Sequence, residues 1–177
     1  VLISDEYREI NRRMHREKVE YGTNGQKRAD EISDVMRSLS PKSILDYGCG
    51  KQTLSAMLGR HLRPGVEWVD YDPCIEGLDE APRPADFVIC TDVLEHIEPD
   101  CLDAVLDDIA RLTLKAAYFW VATRSARKHL PDGGNAHLII EPYTWWLPKL
   151  WKRQRLVWFR NQKGAFRATL VKDMSNG

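Results

Sequence analysis

The chain predicts an α/β fold: a mostly parallel sheet with helices between successive strands and an antiparallel hairpin at the C-terminal end. Three observations predict it. Short apolar runs at 43–46, 66–72, 87–90 and 117–123 read as buried strands. Stretches with apolar residues at helical spacing separate most of them. Two further runs, 156–161 and 166–172, flank Lys163 and Gly164 as a closing hairpin. The 177 residues are enough for one domain with a sizeable core. We expect one unit over 1–177, with a helical cap over 1–40 and the α/β core over 41–177.

Taken in order, residues 4–20 are mostly charged strong helix formers with sparse apolar positions, which predicts an exposed or capping helix. Tyr21-Gly22-Thr23-Asn24-Gly25 is a turn by composition. Ala29, Ile32, Val35, Met36 and Leu39 recur at helical spacing over 26–39, and Pro41 ends that helix. The first strand, 43–46, runs into Gly48-Cys49-Gly50, and 53–62 follows as a helix with Leu54, Met57, Leu58 and Leu62 on one face. The second strand gives way to 73–85, rich in Pro, Gly and charge, which reads as a loop or at most one turn. Residues 93–114 predict a helix, 124–135 a long polar loop and 142–152 a Trp-rich helix.

Composition narrows the class. Hydrophobic residues make up 43% and charged residues 29%, ordinary for a globular chain. No apolar run approaches the roughly 20 residues of a membrane span, and no charged-then-apolar leader opens the chain. A cytoplasmic protein is expected. The four cysteines form no C-x-x-C pair, so a zinc knuckle is not expected; Cys49 and Cys90 lie in apolar segments and suit a reducing compartment. Net charge is zero, yet segregated: 66–110 holds 14 acidic residues against Arg83, and 124–177 holds 11 basic residues against three acidic ones. Solvated helix faces of opposite sign explain this, and so does a basic end that meets a phosphate or another anion.

In an open α/β sheet, ligands sit beyond the C-terminal strand ends where strand order switches. Gly48 and Gly50 permit tight turning and close ligand approach there, and the following helix directs N–H groups at the site. Asp46 just before them would repel a pyrophosphate, which disfavours a dinucleotide and a nicotinamide dehydrogenase. It suits a cationic group such as an ammonium, or it caps the turn. An acid ending the second strand can take both ribose hydroxyls. Asp72, in Asp72-Pro73-Cys74, is the first choice; Asp70 is the alternative, and an Asp-Pro turn is the plain structural reading.

Ile44-Leu45-Asp46-Tyr47-Gly48-Cys49-Gly50 resembles motif I of the class I S-adenosylmethionine-dependent methyltransferases, and residues 86–97, DFVICTDVLEHI, resemble their fourth-strand motif. The two stand in the right order, about 40 residues apart. The resemblance implies a Rossmann-like sheet with S-adenosylmethionine as cofactor. It implies that Asp46, Gly48, Cys49 and Gly50 surround the amino acid part, that Asp72 or Asp70 holds the ribose, and that Thr91 and Asp92 lie beside the cofactor. Two departures stand out. Gln52 replaces the third glycine of the turn, which predicts a wider turn. Only 13 residues separate Asp72 from Asp86, so the third-strand unit is missing or reduced and its adenine contacts with it; Cys74, Ile75 and Leu78 are the substitutes on offer.

Asp92-Val93-Leu94-Glu95-His96 starts the predicted helix, where i,i+3 and i,i+4 spacing brings the three polar side chains to one side. With His137, two carboxylates and two imidazoles suit a divalent ion, Mg or Mn. The pattern is similar to the acidic-His motif of small-RNA 2′-O-methyltransferases and ubiquinone-pathway O-methyltransferases. The resemblance implies metal lowering of an acceptor hydroxyl's pKa, with Glu95, His96 and His137 as catalytic groups. Asp92 and Glu95 as a capping box is the competing reading. On the acceptor side, Tyr21, Thr23, Arg124, Lys128, His129 and Trp145-Trp146 are candidates, Arg124 for a phosphate or carboxylate. Surface exposure of Arg124, and packing of the two tryptophans onto the sheet, are the alternatives. The expected function is O-methylation of a hydroxyl on a small molecule, sugar or nucleotide. Methylation of RNA at a 2′-OH and a non-catalytic partner subunit of the same fold are the competing functions.

Overall fold

The computed structural model describes residues 1–172. Helix α1 (Asp5–Glu17) starts where Ser4 Oγ accepts the Tyr7 N–H at 3.1 Å, with Asp5 and Glu6 in its first turn. Helix α2 (Ala29–Leu39) follows a short 3-10 turn over Gly25–Arg28 and ends at Ser40, whose φ of 48° turns the chain sharply toward Pro41. Strands β1 (Ser43–Tyr47), β2 (Glu67–Tyr71), β3 (Ala85–Thr91) and β4 (Thr113–Ala122) are parallel; β5 (Arg155–Gln162) and β6 (Ala165–Val171) close the sheet antiparallel. The strand order is β2-β1-β3-β4-β6-β5. Helices α3 (Thr53–Leu58), α4 (Leu102–Leu112) and α5 (Tyr143–Trp151) complete the chain.

Side chains alternate across each strand, so the sheet buries two faces. On one, Leu45, Val88, Phe119 and Val121 pack with α4 through Val105 and Ile109 and with α5 through Trp146 and Leu150. On the other, Ile44, Phe87, Ile89 and Tyr118 pack with Ile32 of α2 and Leu54 and Leu58 of α3. From β1 the chain crosses outward to β2 and then back past β1 to β3. The switch in order therefore falls between β1 and β3, and a crevice opens beyond their C-terminal ends.

The expected loop is confirmed: 73–84 contains neither helix nor strand, so β2 leads directly to β3 and the third-strand unit is absent. The helix expected over 93–114 is not continuous. A 3-10 turn over Leu94–His96 ends at Ile97, a second covers Pro99–Cys101, and α4 begins only at Leu102. Pro99 is the cause: the residue before proline is held extended, and Glu98 has ψ 131°. The break frees the Glu98 carboxylate to accept Ser4 N–H at 2.8 Å and Ser4 O–H at 2.7 Å, tying α1 to the body. Thr113 and Leu114, expected at the helix end, begin β4 instead. The Trp-rich helix forms with Pro148 inside it.

Asp86 anchors the N-terminal edge of β3. Its carboxylate accepts Lys42 N–H and Lys115 Nζ, each at 2.8 Å. Burial alone would raise its pKa, but those two partners outweigh it and hold the pKa below the usual carboxylate value. A depressed folded pKa stabilises above the unfolded value and loses that contribution as pH falls through the folded one. Asp86→Asn is expected to cost about 1.5–3 kcal/mol near neutral pH. Urea titrations at pH 7 and pH 2.5 check this: the gap to wild type should close at the lower pH, and a gap equal at both would refute the assignment.

Candidate active site

Beyond the ends of β1 and β3 lies a cavity of about 720 Å³, within the range of small-molecule and cofactor sites. Its floor is the glycine turn. Gly48 has φ 79°, and a Cβ there would meet Val93 Cγ2 at 2.4 Å; Gly50 has φ 53°, and a Cβ there would meet the Gly22 carbonyl oxygen at 2.5 Å. Gln52, in the third glycine position, has φ 56° and sits just before α3. The turn thus keeps the left-handed bend that glycine would adopt without strain, rather than widening.

Asp46 lines the cavity at 3% exposure, and its side chain forms no hydrogen bond among the described residues. Burial, then the charges of Asp70 and Asp72, push its carboxyl well above the usual range. Asp72 lines the wall as well. Its oxygens accept Gly50 N–H at 3.1 Å and Cys74 N–H at 2.9 Å, and His15 Nε2 lies 3.9 Å away. Asp70 does not line the cavity. It is held by Ser55 Oγ at 2.8 Å, Trp68 Nε1 at 2.9 Å and Gln52 Nε2 at 3.0 Å, on the α3 side. Cys49, Thr91 and Cys74 reach the cavity; Ile75 and Leu78 do not.

One wall was not anticipated. Tyr7, Asn11 and His15 stand four residues apart on one face of α1 and all line the cavity. Tyr21 joins them, donating its hydroxyl to Asn11 Oδ1 at 2.7 Å. The signal was present as a polar stripe where a packing face would carry apolar residues. Arg28 was missed as well; its guanidinium stacks 3.7 Å over Trp120.

Two imidazoles also line the cavity. His96 Nδ1 donates to the Ala136 carbonyl at 2.7 Å, and His137 Nδ1 donates to the Arg124 carbonyl at 2.6 Å. Each bond fixes the tautomer and leaves Nε2 as a bare acceptor. The rings meet edge to face at 4.7 Å. Burial, then His137, pushes His96 down to about 4; burial also lowers His137, so both are neutral at pH 7. Glu95 is fully buried. Its Oε1 accepts Ala122 N–H at 3.0 Å, and burial followed by Asp92 pushes its pKa up to about 8.

Four readings of the sequence fail here. Asp92 does not join Glu95, His96 and His137, because it lies before the turn rather than on a helix. With φ 55°, it faces Arg28 Nη2 at 3.6 Å. Nor does it form a capping box: Val93 precedes the turn without a side-chain cap. Trp145 is on α5, packed on the sheet with Lys149 Nζ 4.3 Å over its ring, and does not reach the cavity; Trp146 is buried. His129 also lies outside, while Thr23, Arg124 and Lys128 line it.

A parallel sheet with its switch point over a glycine turn, an unpartnered buried acid and a cofactor-sized cavity defines a Rossmann-like nucleotide-cofactor protein. The chain belongs to the methyltransferase domain family whose model, Methyltransf_23, matches residues 15–163. It is an S-adenosylmethionine-dependent methyltransferase of class I. The fold is similar to that of Burkholderia thailandensis 1,6-didemethyltoxoflavin-N1-methyltransferase, solved with bound 1,6-didemethyltoxoflavin and S-adenosylhomocysteine (TM-score 0.67, 15% identity, 94% of this chain and 89% of that one). It is also similar to magnesium protoporphyrin IX methyltransferase from Synechocystis PCC 6803 with S-adenosylhomocysteine (TM-score 0.59, 14% identity, 96% and 95%). A third is the PH0226 protein of Pyrococcus horikoshii OT3 (TM-score 0.58, 13% identity, 96% and 92%). No curated protein matches in sequence. Among the described residues, no helix is long and apolar enough to cross a membrane.

Proposed function

We propose that the protein transfers the S-adenosylmethionine methyl group to a hydroxyl oxygen of a small molecule, sugar or nucleotide in the cytoplasm. The observation that carries the reading is the pair of neutral imidazoles with bare Nε2 atoms in the same cavity that the unpartnered Asp46 lines. Asp46 suits the cofactor's ammonium, the Gly48-Cys49-Gly50 backbone its amino acid part and Asp72 its ribose. Thr91 borders the same end. His96 or His137 accepts the hydroxyl proton as methyl passes from sulfur to oxygen, and positioning supplies most of the rate. Arg124 and Tyr21 border the acceptor.

The same residues suit a divalent ion. Glu95 Oε2 is buried without a hydrogen-bond partner among the described residues, and one ligand atom each of Glu95, His96 and His137 lies within 4.8 Å of the others. Two imidazoles and one carboxylate favour Mn over Mg, which prefers oxygen donors. A bound ion would lower the pKa of an acceptor hydroxyl.

Calorimetric titration with S-adenosylhomocysteine tests the cofactor reading. Micromolar binding in EDTA is expected, and no binding would reject it in favour of a non-catalytic subunit. Mn²⁺ titration tests the metal: binding that disappears in His137→Ala supports it, and absent or unaltered binding removes it.

A further inference from the structure

The cavity lining carries both acids and cations. Its acids, Asp46, Asp72 and Asp92, stand around the end of the sheet, and Arg28 already answers Asp92. Four further cations, Lys27, Arg124, Arg127 and Lys128, line the same cavity; Glu20 is the acid beside Lys128, and Lys27 and Arg124 lie near enough to Asp92 to lower its pKa. Among the described residues none of the four forms an ion pair. Lys128 Nζ rests on the Glu20 backbone carbonyl at 2.6 Å, and Arg124 Nη1 reaches only the Ser125 carbonyl at 3.4 Å.

The backbone that carries Arg124 and Lys128 is held in place. Asn135 Oδ1 accepts Ala126 N–H and His137 N–H, both at 2.9 Å, and its Nδ2 donates to the Ala126 carbonyl at 3.0 Å. Ala136 N–H donates to the Lys128 carbonyl at 3.2 Å. One asparagine therefore folds the loop so that the residues carrying Arg124 and Lys128 flank the His96–His137 pair. The hairpin turn supports Arg124 from outside: Gly164 has φ 76°, and a Cβ there would meet Arg124 Cδ at 2.6 Å. Burial lowers the Lys128 pKa; Glu20 raises it in part, and Lys27, Lys18 and Lys51 lower it, so an anion bound there would relieve the repulsion that Glu20 leaves.

Resting on the methyl-transfer reading, we infer that the acceptor is a phosphorylated small molecule, whose phosphate seats among Arg124, Arg127, Lys128 and Lys27 and delivers its hydroxyl to the imidazole pair. Guanidinium and ammonium groups make their strongest hydrogen bonds to such oxyanions. A neutral acceptor would leave the exposed Lys27, Arg124 and Arg127 with no ion pair among the described residues.

The test is calorimetric titration of ligand-free and S-adenosylhomocysteine-loaded protein with pyrophosphate, ribose 5-phosphate, a nucleoside 5′-monophosphate and unphosphorylated ribose. Phosphorylated probes should bind and ribose should not. Arg124→Ala and Lys128→Ala should each weaken binding by about tenfold, the loss of one charge-assisted contact. Lys163→Ala, outside the cavity, should change it less than twofold. A nucleotide far tighter than ribose 5-phosphate identifies a nucleotide acceptor, and parity a sugar phosphate. Absence of phosphate binding, or binding indifferent to both variants, overturns the proposal, as does an added RNA oligonucleotide titration in which the RNA binds and none of the small phosphates does. Failure of S-adenosylhomocysteine to bind sinks the methyl-transfer reading instead, whereas cofactor binding without anion binding sinks this inference alone.

Discussion

Asp46→Asn will lose about two orders of magnitude in S-adenosylhomocysteine affinity, while the ligand-free protein becomes more stable. The loss corresponds to about 3 kcal/mol, the scale of one hydrogen bond to a charged group at a desolvated site. Asp46 is buried, unpartnered within the chain, and carries a strongly raised pKa from burial and two neighbouring acids. The folded state holds that proton more tightly than the unfolded chain does. Stability from this group is therefore fully present below the unfolded pKa and lost as pH rises through the folded one. Removing the titration lifts the high-pH penalty, so the Asn variant should gain most at alkaline pH. Ligand binding has the opposite sign. An ammonium against the carboxylate lowers its pKa, so binding releases a proton and wild-type affinity should increase with pH up to the free-state pKa. Calorimetry in two buffers of different ionisation enthalpy reads that proton directly. Unchanged affinity in the variant, or proton uptake on binding, would place the ammonium elsewhere.

The second large effect is expected at Gly50. Two glycines stand back to back: a Cβ on Gly50 would meet Gly22 O at 2.5 Å and Gly22 Cα at 2.8 Å, and one on Gly22 would meet His15 Cε1 at 2.7 Å. The contact at Gly50 is backbone on backbone, so no side-chain rotation can relieve it. Lys51 fastens the same approach, its N–H donating to Gly22 O at 2.8 Å and its Nζ to the Lys18 and Val19 carbonyls at 2.8 and 2.9 Å. Gly50→Ala should cost about 2–4 kcal/mol, combining left-handed strain with forced displacement. For a chain of this size that lowers the melting temperature by roughly 5–15 °C. Because the turn carries Tyr21 and is continuous with α1, cofactor affinity should also fall more than tenfold. Gly65→Ala is the control. Gly65 has φ 83° with open space around it, so strain of about 1 kcal/mol stands alone. Equal melting points for the two variants would show that the close approach is not what Gly50 provides.

Periodicity and turn chemistry are local, and the features they encode were legible in order. The glycine turn after a buried strand, the acid before it, the absent third-strand unit between Asp72 and Asp86 and the closing hairpin all follow from neighbours in sequence. Proline chemistry was also local, yet Pro99 was outweighed by the apolar spacing of 93–114, and the helix broke where the residue before proline must be extended. The remaining decisions depended on groups far apart in the chain. Asp70 lies in β2 and Asp72 just past its end, two residues on, and only the positions of Trp68, Ser55 and Gln52 against one and Gly50 against the other send one away and keep one at the cavity. Asp92 stands apart from the Glu95–His96–His137 group because its left-handed backbone, φ 55°, sets it before the 3-10 turn, where it faces Arg28 stacked on Trp120. The wall from α1 exists because Glu98 captures Ser4 across 94 residues. The chain order thus specified which elements form and what chemistry borders the turn. Packing decided which face each acid presents, because a carboxylate's direction is set by the partners that desolvate it, and those partners meet only in the folded sheet.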